Sequence, residues 1–141
     1  MAKDTPAASA ATMRVVVVTP EATLIDDAAD FVALPLFDGE IGIAPLHGPM
    51  IGRLGFGEMR ITRGDAEQRF YVDGGFVQVV DNVVSVLTNR AAPSATLDVA
   101  ASEEQLRSAL TLRSNTDELL AIRDRSIGQA RAQLRTARRA K

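Results

Sequence analysis

His47 is the one histidine in a chain without cysteine, so a serine hydrolase would have to take its general base from Pro45-Leu46-His47-Gly48-Pro49. Such a base needs a nucleophile within hydrogen-bond reach and a third group to orient it. No Gly-x-Ser-x-Gly elbow lies beside the segment and no orienting partner is suggested, so His47 reads as a loop or interface residue. Asp26, Asp27 and Asp30 offer oxygens to a hard cation, but their spacing is not that of a calcium loop; they read as solvated strand ends. Gly52-x-x-Gly55-x-Gly57 lacks the Lys-Ser or Lys-Thr and the helix of a phosphate loop, and reads as turn glycines. Arg63-Gly64-Asp65 spells an adhesion tripeptide that a tight hairpin explains more simply. No catalytic site and no metal site is expected.

Charge carries more information than any of these constellations. Residues 1–120 hold 9 Lys/Arg against 17 Asp/Glu, net −8, whereas residues 121–141 hold 7 against 1, net +6. Arg123, Arg125, Arg131, Arg135, Arg138, Arg139 and Lys141 call for an acidic neighbour. Nucleic acid fits poorly, because the acidic body repels a polyanion and a single tyrosine is present to stack on bases. Lack of cysteine removes disulfides and thiolate zinc sites and fits a reducing compartment. Residues 1–12 have no apolar stretch of signal-peptide type and read as a disordered leader. The longest apolar run, Val15 to Val18, is far short of the roughly 20 residues that cross a bilayer as a helix.

The elements that would position these residues follow two periods. From Met13 to Arg90, Val, Ile and Phe recur in short runs broken by Gly, Pro and Asp, which predicts an antiparallel β-sandwich or flattened barrel over 13–92. Strands are expected at 14–19, 30–36, 41–44, 57–63, 68–73, 76–80 and 83–89. Gly64-Asp65 and Asp81-Asn82 supply hairpin turns. Ala91-Ala92-Pro93-Ser94 opens a linker expected over 93–101, and a helical hairpin is expected over 102–141. Ser102-Glu103-Glu104-Gln105 reads as a capping box; Ser114-Asn115 breaks the first helix and Thr116 caps the second. Leu120, Ile127 and Leu134 recur every seven residues beside Ala130 and Ala137, giving one narrow apolar stripe on a helix of about 35 Å.

The order of motifs resembles the epsilon subunit of F-type ATP synthase. The resemblance is carried by Val18-Thr19-Pro20, the run from Gly39-Glu40-Ile41-Gly42 through Ala44-Pro45-Leu46-His47-Gly48-Pro49, Gly57-Glu58-Met59-Arg60-Ile61, Gly74-Gly75-Phe76-Val77-Gln78-Val79 and Asn82 to Leu87, then a helical hairpin. It implies a non-catalytic central-stalk subunit at the cytoplasmic face of the cell inner membrane, held there only through its complex. The gamma subunit and the c-ring would be contacted by Gly39, Glu40, Gly42 and His47. The hairpin would block ATP hydrolysis by reaching the alpha and beta subunits through Arg123, Arg131, Arg135, Arg138 and Arg139. ATP-sensing members carry Arg-Ala three residues after the aspartate of their first helix; here Leu97-Asp98-Val99-Ala100 runs into Ala101-Ser102. Asp98, Arg131 and Arg135 would then hold ATP weakly or not at all, and no cofactor is expected. Leu46 stands where the family usually has the glycine before the histidine.

Overall fold

The computed structural model describes residues 12–140; the expected leader and Lys141 fall almost wholly outside them. Eight strands come first: β1 (Met13–Val18), β2 (Thr23–Ala29), β3 (Phe31–Leu36), β4 (Gly39–Ile43), β5 (Met50–Arg63), β6 (Ala66–Val80), β7 (Val83–Leu87) and β8 (Ala91–Pro93). A 3-10 turn (Ser94–Thr96), α1 (Val99–Leu110) and α2 (Asp117–Arg139) follow.

The strands form a single unclosed sheet in the order β2-β1-β7-β6-β5-β3-β4, with β8 added to β6. The sequential pairs β1–β2, β3–β4, β5–β6 and β6–β7 are antiparallel as expected, and Asp81 and Asn82 take the positive φ values that their two-residue turn requires. β1 also pairs with β7 in parallel. Two long strands make the sandwich. The first half of β5 pairs with Gly75–Val79 of β6, next to β7; its second half pairs with Ala66–Asp73, next to β3 and β8. The fold-over falls at Gly55 and Gly74-Gly75, where the ladder skips a pair. Gly75 has φ +112°, and a Cβ there would sit 1.9 Å from the Leu87 carbonyl oxygen, so no other residue fits. β6 therefore continues through the expected gap at 74–75.

Core residues come alternately from both layers: Val15, Val17, Val77, Val79, Val84 and Val86 meet Val32, Leu34, Ile43, Met59, Ile61 and Val72. The expected strand limits need correction in three places. β2 was unanticipated, because an edge strand reading Leu-Ile-Asp-Asp-Ala-Ala shows no clean alternation. The glycines at 52, 55 and 57 lie inside β5 rather than in turns. Ala91–Pro93 is β8 rather than linker, bonded to Phe70–Val72.

The first helix starts at Val99, three residues before the expected capping box. Asp98 caps it, accepting from the Ala100 N–H at 2.9 Å, so Ser102 is an interior residue and buried. Thr116 caps α2 as expected, accepting from the Leu119 N–H at 3.1 Å. Ile127, Ala130, Leu134 and Ala137 are buried as the stripe predicts, but Leu120 is 41% exposed. The stripe is also wider than expected: Ala132, Gln133 and Thr136 are buried too, because α2 packs on α1 along one side and on β5 and β6 along another. Thr136 can be buried because its hydroxyl donates to the Ala132 carbonyl at 2.8 Å.

Candidate functional site

Three surfaces stand out, and the first and third carry residues singled out above. The first is the β3–β4 corner with the loop after it. Gly39 has φ +142° and opens the hairpin, and Glu40 on β4 pairs with Arg60 of β5 at 3.3 Å. A Cβ on Gly42 would come within 2.5 Å of the Phe31 ring, so this glycine is a floor for an aromatic side chain of the neighbouring strand. Leu46 adopts φ +65°, the conformation a glycine takes without cost, and its N–H donates to Asn82 Oδ1 at 2.8 Å. Its side chain is 82% exposed. His47 Nδ1 donates to the Gly48 carbonyl at 2.7 Å, and no hydrogen bond or ion pair joins it to Glu40 among the described residues. Asp26 and Asp27 are engaged by Arg14 and Arg63 at 2.8 and 3.0 Å, and Asp30 accepts from the Gly64 N–H.

The second surface is the outer face of the layer made by β1, β7 and the glycine-proximal halves of β6 and β5. Pairing registers align Val18, Leu87, Phe76 and Arg53 in one row across four strands. Ile51 is in the next row on the same face. Phe76, Leu87 and Ile51 are 58%, 51% and 78% exposed, and neither α1 nor α2 covers them. Arg53 lies over the Phe37 ring at 4.8 Å, and the Phe37 N–H donates to the Arg53 carbonyl at 2.8 Å. Val18, Pro20, Phe76, Leu87 and Arg53 line an open groove of about 810 Å³. A row of large apolar side chains in water is a common mark of a binding surface. Sequence reasoning passed over it because each residue sits in an ordinary β alternation; the signal was that Phe76 and Leu87, apolar residues at solvent positions of two paired strands, stand side by side.

The third surface is the opposite layer's outer face, which α2 covers. Tyr71 and Leu97 pack with Ala132 and Ala137, flanked by Phe56 and Val99. Gln129 Nε2 donates to both carboxylate oxygens of Asp73 at 2.8 and 3.0 Å, and Arg125 lies over Phe56 at 5.6 Å. Tyr71 has no exposed surface; burial, and next the Asp73 carboxylate, hold its phenol well above the ordinary tyrosine range.

Much of the tail's positive charge is used inside the chain. Arg139 is 3.9 Å from Glu58, Arg138 is 3.6 Å from Glu103, and Arg123 donates to the Leu110 carbonyl at 3.4 Å. Arg131 and Arg135 make no ion pair among the described residues and, with Leu106, Leu134, Arg138 and Arg139, line a groove of about 550 Å³. Asp98 caps α1 and does not line that groove. No helix among the described residues is long and apolar enough to cross a membrane.

Comparison with known proteins follows the same division. Residues 12–94 match the family described as the beta-sandwich domain of the ATP synthase delta/epsilon chain. The ATP synthase epsilon chain of Rhodopirellula baltica is 50% identical over 126 residues, spanning 89% of this chain and 98% of that one. The epsilon chain of Halorhodospira halophila is 38% identical over 129 residues, spanning 89% and 92%. A chain in the Euglena gracilis mitochondrial ATP synthase OSCP/F1/c-ring structure shares the fold at TM-score 0.79 and 17% identity, over 86% of this chain and 79% of that one. A chain in the Tetrahymena thermophila mitochondrial central stalk/c-ring structure does so at TM-score 0.65 and 14% identity, over 89% and 96%. An eight-stranded open sandwich, a two-helix tail and relatives matched along most of their length place this chain in the ATP synthase epsilon family, whose members are not the catalytic subunits of that complex.

Proposed function

We propose that the chain is a rotor subunit that couples proton-driven rotation to ATP synthesis, with its sandwich anchored on the gamma subunit and the c-ring. The uncovered row of Val18, Leu87 and Phe76 supports this most directly, because a partner that covers an apolar strip of this kind gains stability by taking it out of water. In this reading the row meets gamma, and the β3–β4 corner with Gly39, Glu40, Gly42 and His47 faces the polar loops of the c-ring. The subunit sits peripherally at the cytoplasmic face of the inner membrane, through the complex alone. The hairpin is a movable brake on ATP hydrolysis: folded on the sheet it is disengaged, and extended it presents Arg123, Arg131, Arg135, Arg138 and Arg139 to acidic surfaces of the alpha and beta subunits.

Co-purification with gamma at moderate salt tests the anchor. The intact chain is expected to form a defined complex and the Phe76→Asp variant to lose it by about a hundredfold in affinity. A free monomer from the intact chain would end this reading.

A rival reading makes the hairpin an ATP-gated switch through Asp98, Arg131 and Arg135. The commitment of Asp98 to capping α1 weighs against it. Calorimetry with ATP and magnesium separates the two, and the rotor reading expects binding no tighter than millimolar.

A further inference from the structure

Glu58 on β5 is the one carboxylate that the fold takes out of water among the described residues, with its side chain 3% exposed. Its Oε2 accepts from the Ser94 hydroxyl at 3.4 Å, and its Oε1 has no hydrogen bond. Two cations lie near Oε1, Arg69 at 3.5 Å and Arg139 at 3.9 Å, both beyond good hydrogen-bond distance. Both are about half exposed, and Arg69 already donates to Glu67 at 2.9 Å. A buried carboxylate recovers its lost hydration only through close, well-directed donors. Glu58 does not have them.

Its surroundings come from three elements: Arg69 from β6, Ser94 from the turn after β8, and Arg139 from α2. Arg139 ends α2, and Ser94 begins the turn that leads to α1. Lifting α2 would remove Arg139 and, with it, part of the cover that keeps Glu58 from water. Asp73, on the adjacent strand β6, is arranged the other way: it is partly exposed, and Gln129 donates to both of its oxygens. One contact between α2 and the sheet is thus fully bonded and the other is under-bonded.

We propose that Glu58 is a release element built into the sandwich: its buried, under-bonded carboxylate weakens the docking of α2, so the hairpin leaves the sheet more easily than its apolar seam alone would allow. This rests on reading the hairpin as a movable brake. It predicts a sign opposite to that of an ordinary salt bridge. An uncharged side chain of similar length at position 58 tightens docking, because hydration is no longer lost when α2 closes. Arg139→Ala loosens docking when Glu58 is present, since it leaves the charge with one cation fewer, and has little effect once Glu58 is replaced.

Hydrogen exchange of the full-length chain provides the test, with the Val77 and Val79 amides of the core as a control for folding. Glu58→Met is expected to raise protection of α2 amides about tenfold or more, and the isosteric Glu58→Gln to raise it in the same direction. Arg139→Ala should lower α2 protection in the unaltered chain but not in the Glu58→Met background. Unchanged or lower α2 protection in Glu58→Met, with the core still protected, overturns the proposal. If Glu58→Met does not fold, Glu58→Gln decides alone by the same criterion. Because the isolated chain reports docking without hydrolysis, the two ideas can fail separately. Tighter docking that leaves ATP hydrolysis by the reassembled complex unchanged would retire the brake and leave the release element standing.

Discussion

On the outer face of one layer, Phe56, Tyr71 and Asp73 lie beneath α2; on the other, the same two strands continue and leave Ile51 and Phe76 in water beside Leu87 of β7. The difference begins at Gly74-Gly75, where β6 bends from one layer to the other. The covered face mixes an apolar seam with charged and amide groups, Glu58, Asp73 and Gln129, that favour water when separated. The open face instead exposes a row of Val18, Leu87 and Phe76 that ends on Arg53. A contact meant to open and close needs groups that are stable in water; one made once, on assembly, can be apolar.

The largest effect is expected from removing the bend that separates the faces. Gly75→Ala drives a methyl group into the Leu87 carbonyl and should cost about 3 kcal/mol or more, read as a lower urea midpoint or as insoluble protein. A near-wild-type midpoint would show that the bend does not depend on glycine. Removing the cover comes next. Truncation after Ser94 should leave the sandwich folded and still bound to gamma, while ATP hydrolysis by the complex rises several-fold. Hydrolysis that stays level would mean that the hairpin is not the brake.

Smaller changes sharpen the comparison within the covered face. Asp73→Ala or Gln129→Ala removes the bidentate bond and should weaken docking of α2 by about 1–2 kcal/mol, seen as faster exchange of α2 amides at unchanged core protection. The mildest probe alters nothing in the chain. Tyr71 is its only tyrosine, and its folded pKa is raised by burial, so phenolate absorbance should not develop near pH 10, where an exposed tyrosine titrates. Between those two pKa values the unfolded chain binds fewer protons than the folded one. The Tyr71 contribution to stability is therefore complete below about pH 10 and is lost as the pH rises beyond it. Truncation after Ser94 should return the titration toward its ordinary range, and a tyrosine that ionises normally in the full chain would mean that α2 does not cover it.

The sandwich, its two hairpin turns and the full extent of α2 were legible because each has a local cause: alternating Val and Ile, left-handed turn residues, Thr116 as a cap. The open apolar row was not, since exposure depends on which strand lies beside which, and the solvent positions of β6 and β7 look ordinary until Phe76 and Leu87 are found aligned. The inner row of α2 was missed for another reason. Ala132, Gln133 and Thr136 are weakly apolar or polar, and they are buried because small side chains allow α2 to approach Tyr71 and Leu97 closely. The arginine tail was legible as charge but not as contacts. That Arg138 and Arg139 turn to Glu103 and Glu58 of the same chain depends on the hairpin folding back.

The parallel pairing of β1 with β7 has a consequence for synthesis. As the chain leaves the ribosome, β1 and β2 can form a hairpin at once, but the other edge of β1 finds its partner only after Leu87 has emerged. Contacts this distant in sequence are slow to form. Until then the nascent chain carries an unpaired Val-rich edge that chaperones would have to shield, and the helices, made last from local contacts, have a finished sheet to meet.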